Sequence, residues 1–447
     1  VPVAIPPDEP FKYSYFINEL ARRTELAAQA GVAGVITYAD LPGAQGHQVR
    51  AEPILQLGLS QAEGEKLRTL ADQNRGVELT IDGRQSPERV YHLRLGYDGG
   101  FPAAGDPAIA KKELATMPAR YHSDTPQQQG DLAWFAFSPN MSDSGQITIP
   151  FRAPVAWTEL VASRGIELRW LRQTRLEDTA LRAWDRIRPG ERRATDSWFQ
   201  SPVSYGALDV QGPYPTALNC TFCRQGDRFV TGQYRMDASG KHYEFAWFDP
   251  PEVRLFRGDT EIPRQGSSWK WFQLPPGPGT YKLSMRYTQP GSAPEALAPR
   301  IATDWVFRSS PPTSGTLPAS YTCPFVNDTR PCAFDPLIQL RYDLGLTLGN
   351  TALAGRSHTI QVHAAPLSGA VDQTTVSSLK AWYSTDDGQT WKAAPVRNQS
   401  TNTFAVTVRH PELAATNGFV WLRARAWNAK GDSVEQTVER AYRLEDR

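Results

Sequence analysis

Long hydrophobic runs are missing from this 447-residue sequence. No stretch approaches the roughly 18 consecutive apolar residues that a spanning helix needs, so no membrane span is expected. Charge of one sign is missing too: Lys+Arg is 48 against Asp+Glu at 47, a net charge of +1. No global field therefore favours nucleic acid, anionic lipid or an acidic partner. Cysteine and histidine are scarce, at 4 and 7 residues, which leaves few groups for thiol or imidazole chemistry. A basic-then-apolar leader is also lacking, because Val1 to Pro10 is Pro-rich and acidic and reads as a processing boundary.

Aromatic residues, by contrast, are plentiful. With 13 Trp, 16 Tyr, 18 Phe and 40% hydrophobic residues, the chain can bury several cores. A single core stops growing at about 250–300 residues, so three or four domains are expected.

Asn18 is a capping-type residue at the head of strong helix formers that stop at Gly31, and Val32–Tyr38 is a β-branched run ending near the Pro42-Gly43 turn. Ile54–Leu59 reads as a second strand. Ser60-Gln-Ala-Glu63 is a capping box before a helix to about Gln73, and Val77–Ile81 reads as a third strand. From about residue 83 short alternating runs bounded by Gly, Pro, Asp or Ser take over, among them Tyr91–Leu95, Ala133–Phe137, Phe229–Met236 and Thr280–Tyr287. The expected fold is multi-domain and mainly β: a small α/β module at 1–82, a β-rich sandwich at 83–210, a β-sandwich at 211–308, a Pro/Ser/Gly-rich linker at 309–320, and an immunoglobulin- or fibronectin-like sandwich at 321–447.

The cysteines form two close pairs, Cys220 with Cys223 and Cys323 with Cys332. Structural disulfides fit a Trp- and Pro-rich β chain best and imply an oxidising, extracellular setting. A four-thiolate zinc site would need the pairs to converge. A redox Cys-x-x-Cys would need a helix after it, whereas Pro213 and Pro215 precede it and no helical pattern follows.

His358 and His363, five apart on one strand, fall on opposite faces and cannot share a metal. His47 and His122-Ser123-Asp124 sit in polar loops and read as solvated; His92 reads as packed or exposed within a strand. Gly96–Gly100 and Gly105-Asp106 read as turns rather than a calcium loop. No nucleophile elbow, zinc-binding helix or phosphate loop occurs, so no catalytic residue, metal ligand or cofactor is expected. Trp269-Lys-Trp-Phe272 reads first as core and second as a sugar-stacking platform.

Ser384-Thr-Asp386-Asp-Gly388-Gln-Thr-Trp391 resembles the Asp-box, a structural hairpin turn in which the Asp caps its own backbone and the Trp folds onto the hairpin. It occurs once here, which does not fit a sialidase-like propeller. The first eighty residues resemble the later part of a protease-associated domain, through Ala27-Ala-Gln-Ala30-Gly31, Val32–Tyr38 and Ile54–Ser60 with Gly64 and Leu67. The rest is similar to the C-terminal region of large secreted actinobacterial subtilisin-like peptidases, through the strand entry at Tyr281 and Leu283, Thr303–Arg308 and Ser384–Trp391. The catalytic motifs of that family are lacking: Asp143-Ser-Gly follows polar residues and reads as a turn.

The resemblance implies a secreted, non-catalytic accessory region that gates or anchors a protein or peptide substrate, or stabilises the processed enzyme, with a peptidase catalytic domain as a partner. A carbohydrate- or surface-binding sandwich protein and a protease inhibitor presenting the Cys323–Cys332 loop are the alternatives.

Overall fold

A computed structural model of the chain describes residues 12–38, 54–73, 77–80, 87–95, 109–137, 147–164, 169–176, 179–209, 218–232, 234–245, 251–266, 270–289 and 295–446. It divides into two units, Val1–Gln85 and Ser86–Arg447.

In the first unit the helix Lys12–Gln29 leads to the strand Gly34–Tyr38, which pairs in parallel with Leu55–Leu59 before the helix Gln61–Gln73. The capping box forms as expected: Ser60 N donates to Glu63 Oε2 at 3.0 Å and Glu63 N donates to Ser60 Oγ at 3.4 Å. Gly64 is required where it stands, since a Cβ there would lie 2.1 Å from Tyr38 Cγ. Two expectations fail. The first helix starts six residues before Asn18, because the propensity penalty of the preceding aromatic residues is only tenths of a kcal/mol and Pro10 supplies the break upstream. Residues 77–80 form no strand.

The second unit is mainly β. A four-stranded sheet in the order Asp196–Trp198, Ala115–Tyr121, Val155–Arg164, Arg89–Leu95 faces a seven-stranded one. The seven run Ser204–Gly206, Tyr234–Met236, Tyr243–Phe245, Thr179–Asp185, Arg169–Leu176, Gln128–Phe137, Ile147–Ala153. Alternate residues bury Met117, Tyr121, Trp134, Trp157, Trp170 and Trp198 between them. Ala115–Tyr121 went unforeseen because Pro118 reads as a breaker, yet Ala115, Met117 and Ala119 on its inward face let it pack closely.

The remaining strands share one core that runs from Tyr205 to Leu444. Its largest sheet joins Gly279–Thr288 and Arg300–Ser309 directly to Ser433–Glu445 and Phe419–Asn428. This corrects the expected boundaries at 210/211 and at 309–320. Residues 309–320 do not separate two cores: Ile301–Val306 pair with Ser433–Val438 in one ladder, and Ser309, at the head of the supposed linker, is buried. A Pro/Ser/Gly-rich composition marks irregular backbone, and that backbone here connects strands within one core. Phe229–Met236 is likewise two strands, Arg228–Val230 and Tyr234–Met236, in different sheets.

Both cysteine pairs are disulfides, Cys220–Cys223 and Cys323–Cys332. Cys223–Gln225 pairs with Cys332–Phe334, so the two bridges lie on neighbouring strands. Among the described residues no helix is long and apolar enough to cross a membrane.

Candidate functional site

Two concave features stand out in the second unit. The larger is a groove of about 860 Å³ where the two sandwiches meet, within the size range of ligand sites. One wall is the segment His122–Gln128 with Phe199 and Ser201; the other is built from Tyr287, Glu295–Ala298 and Arg443. Asn350 ties the walls together, its carbonyl accepting from Arg443 N at 3.3 Å on one side and its side chain holding Phe199 and Ser201 on the other. Its left-handed backbone (φ 54°), tolerated by Asn, aims the side chain so that it accepts from Ser201 N at 3.1 Å and donates to Phe199 O at 3.2 Å.

His122 corrects its expected solvation. It is 2% exposed, because just past the strand Ala115–Tyr121 its backbone N–H still donates to Trp198 O of the neighbouring strand. Nδ1 lies 3.0 Å from Thr347 O, a carbonyl that can only accept, so Nδ1 carries the proton. Burial lowers the pKa of the ring, which leaves it neutral with a lone pair on Nε2, and that atom has no partner. Arg235, on the same groove, donates through Nη2 to Glu244 and to Thr179 Oγ1, while its Nε–H is without a partner. One unfilled acceptor and one unfilled donor therefore underlie the groove.

The smaller feature is a cleft of about 290 Å³ beside an ion cluster. Arg172, 3% exposed, donates to Asp185 Oδ2 at 2.6 Å and to Asp196 Oδ2 at 2.5 Å. His242 lies with its ring 3.8 Å from that of Trp198. Its Nδ1 is 2.5 Å from Asp237 Oδ2 and its Nε2 is 3.0 Å from Asp196 Oδ1. Burial opposes the charged ring, but the two carboxylates outweigh it and push the pKa up to about 9. The aspartates flank opposite edges of the imidazole, so the three groups do not converge on one point. The pattern does not single out His242, although Asp237-Ala-Ser-Gly-Lys-His242 has the form of a tight hairpin, with Gly240 at φ 67°.

The other described histidines are engaged in structure. His92 stacks on Trp134 at 4.0 Å, and burial lowers its pKa to about 3. His410 Nδ1–H donates to Leu353 O, and its Nε2 accepts from Tyr442 OH, each at 2.8 Å. His358 Nε2 lies 2.6 Å from Leu344 O, and His363, on the opposite strand face, lies beside Thr403. His47, Gly96–Gly100, Gly105-Asp106, Asp143-Ser144-Gly145 and Trp269 lie outside the described residues.

At the Ser384–Trp391 hairpin, Ser384 Oγ donates to Asp386 Oδ1 at 2.6 Å and accepts from Gly388 N at 2.9 Å; Asp386 in turn accepts from Thr390 N and Oγ1. Arg423 lies 4.2 Å over the Trp391 ring. Phe272 is fully buried and Trp271 packs edge-on to Phe325. Of the described tryptophans none is exposed: Trp134, Trp157, Trp170, Trp198 and Trp305 are buried and the rest half-buried.

No family model matches the chain, and no curated protein matches it. Among solved structures, Escherichia coli alpha-2-macroglobulin activated by porcine elastase is similar at 11% identity and a TM-score of 0.18, over 72% of this chain and 32% of that one. Dpr2 Ig1-Ig2 in complex with DIP-Theta Ig1-Ig3 is similar at 11% identity and a TM-score of 0.16, over 74% and 96%. The Bacteroides ovatus glucan-utilisation protein SGBP-B, in complex with a mixed-linkage heptasaccharide, is similar at 11% identity and a TM-score of 0.12, over 77% and 69%. This chain thus spans about a third of the alpha-2-macroglobulin it matches. Likenesses this loose carry no functional information.

Proposed function

We propose that this chain is the non-catalytic accessory region of a secreted subtilisin-like serine peptidase, and that the groove between its sandwiches holds an extended stretch of polypeptide substrate for a catalytic domain. The observation that carries the reading is the groove of about 860 Å³ itself, open along a lining that includes exposed Thr125, Pro126 and Glu295. A peptide's N–H and C=O are obligatory hydrogen-bonding groups, and the half-buried Gln289 amide in the lining offers both an acceptor and a donor. Half-buried Leu297 and Val203 add apolar surface, while Arg443 and Glu295 supply charges of both signs. Two disulfides agree with an oxidising, extracellular setting. The half-buried tryptophans, with Arg423 over Trp391 and Lys380 near Trp427, argue against a sugar-stacking platform.

The test is fluorescence anisotropy with labelled, unfolded casein peptides. Saturable binding, weakened about tenfold or more in Leu297→Asp with Arg443→Glu, is expected for an apolar and a charged contact. Binding unchanged in that double variant removes the groove from the reading. Hydrolysis by the chain alone that a fluorophosphonate blocks removes the non-catalytic assignment.

A second reading, protease inhibition, is favoured by one observation. The disulfide-closed loop Cys323–Cys332 is held by fully buried Gln225, whose amide reaches Phe325 O, Asp328 O and Arg330 O and accepts from Phe325 N. Arg228 lies 3.8 Å over Phe325 and pairs with Asp328, leaving Val326 86% exposed on a preorganised loop. Slow, tight inhibition of an elastase-type peptidase, lost in Val326→Asp, would support it; no inhibition at micromolar chain would end it.

A further inference from the structure

The cleft of about 290 Å³ differs from the groove in how its charges are spent. Every carboxylate at it is already occupied. Asp185 takes Arg172 and Arg193, and Asp196 takes Arg172, His242 and Trp198 Nε1. Asp237 takes His242 and Ser239, and Asp209 accepts from the Ser368 backbone N–H at 3.3 Å and its hydroxyl at 3.1 Å. The cations are not all matched.

Arg341 is the mismatch. It extends from the strand Ile338–Asp343 into the cleft wall with its side chain 24% exposed. Its nearest carboxylate oxygen is Asp209 Oδ2 at 3.9 Å, the same oxygen that Ser368 already uses, and no hydrogen bond from its guanidinium falls on any described residue. Burial makes its charged form less favourable than that of an ordinary guanidinium, with Asp209 offsetting only part of the loss. Desolvating an arginine without a partner is costly, so such a group in a cleft wall is complementary to an anion. Gly240 supports this position: at φ 67° it carries no Cβ, and a Cβ would lie 2.8 Å from Arg341 Nε. The turn therefore leaves room for the guanidinium. Exposed Lys241 stands next to it in the same lining. Among the residues that line the cleft, Arg172, Arg193, Lys241, His242 and Arg341 face Asp185, Asp196 and Asp209, five cations to three carboxylates, while Asp237 and Glu191 outside the lining pair with His242 and Arg193.

We propose that this cleft binds one oxyanion group, a carboxylate, sulfate or phosphate, seated on the two-pronged Arg341 guanidinium with Lys241 at the mouth. It is independent of peptide binding in the groove. A planar fork matches two oxygens of such a group at once, and Arg341 is the arginine of the lining with no described carboxylate within hydrogen-bond distance.

Isothermal titration of the full chain with N-acetylglycine, sodium sulfate and phenyl phosphate, each against chloride at equal ionic strength, tests it. At least one is expected to bind with a stoichiometry of one. Arg341→Met should abolish that binding while keeping the near-ultraviolet dichroism of the fold, because Asp209 retains its Ser368 hydrogen bonds. Arg341→Lys should weaken it about tenfold by losing the fork, and Lys241→Gln about threefold. A preference for N-acetylglycine points to a peptide carboxyl terminus as the source; a preference for sulfate or phenyl phosphate points to a sulfated or phosphorylated group. If no anion binds beyond the chloride control, or if Arg341→Met binds as the parent does, the proposal is wrong.

Discussion

Arg172 and Arg224 are both buried in sandwich interiors, and they are neutralised in opposite ways. Arg172 is enclosed by charge: Asp185 and Asp196 bond it directly, with the rings of Trp134 and Trp198 at 5.5 and 5.0 Å. Arg224, with no exposed surface, is enclosed largely by dipoles. It donates to Gly226 O at 2.8 Å, Pro275 O at 3.4 Å, Gly277 O at 3.2 Å and Ser309 Oγ at 3.3 Å, with one carboxylate, half-exposed Asp227, at 3.1 Å. The one fully buried carboxyl nearby, Asp335, bonds Ser309 Oγ instead of the guanidinium. A buried cation thus needs its donors filled, and carbonyls can do that as well as carboxylates. The difference lies in what is left behind when the arginine goes.

The sharpest test of that difference is a pair of substitutions. Arg172→Met leaves buried Asp185 and Asp196 with only Arg193 and His242 as counter-charges and should cost about 3–5 kcal/mol, read by chemical denaturation of the full chain. Arg224→Met strands carbonyl oxygens and leaves Asp227 hydrated, so it should cost roughly 2 kcal/mol. Equal losses would break the comparison, since they would mean that the aspartates around Arg172 find other partners or that the carbonyl cage holds more energy than dipoles ordinarily do.

Protonation sharpens it further. Burial pushes Asp335 up to about 8, with Ser309 and Arg224 only partly opposing. The unfolded chain releases that proton near the ordinary carboxyl pKa of about 3.9, while the folded chain keeps it. Stability from this group is therefore fully present below about pH 4 and is lost as pH rises towards 8. His242 works in another window. Its contribution is fully present below the ordinary histidine pKa of about 6.5 and is lost as pH rises through about 9. Asp335→Asn should flatten the fall between pH 4 and 8, and His242→Gln the fall above 6.5; midpoints of urea unfolding across pH measure both. If neither variant changes the pH slope, the two centres are not protonated as described.

Sequence pattern exposed the shell of this arrangement and little of its interior. The alternation in Gly279–Thr288 is plain because its outward residues from Thr280 to Thr288 are polar and its inward ones, Tyr281 to Tyr287, carry apolar or aromatic side chains. Arg172 breaks that rule: it occupies an inward position of Arg169–Leu176, where a charge reads as solvent-facing. Its partner Asp196 lies 24 residues on, in another sheet. No local spacing encodes such a meeting. The domain border at 309–320 misled for a related reason: composition reports backbone irregularity, whereas the pairing of Arg300–Ser309 with Ser433–Glu445 is a contact over more than a hundred residues. The Ser384–Trp391 turn could be read because the hydrogen-bond partners of Ser384 and Asp386 lie within a few residues.

That turn gives the comparison an uncharged reference. Ser384 is 1% exposed, and its hydroxyl accepts from Gly388 N while donating to Asp386. Ser384→Ala strands the Gly388 N–H and loosens the longer bond from Asp386 N at a turn beside solvent, so the expected loss is about 1 kcal/mol, close to that of an ordinary neutral hydrogen bond. The same denaturation experiment reads it. A loss near that of Arg224→Met would mean that the carbonyl cage behaves as a set of ordinary neutral bonds, and that formal charge alone separates the two arginine centres. A loss far below it would mean instead that a cation held by dipoles still carries much of the electrostatic weight of one held by carboxylates.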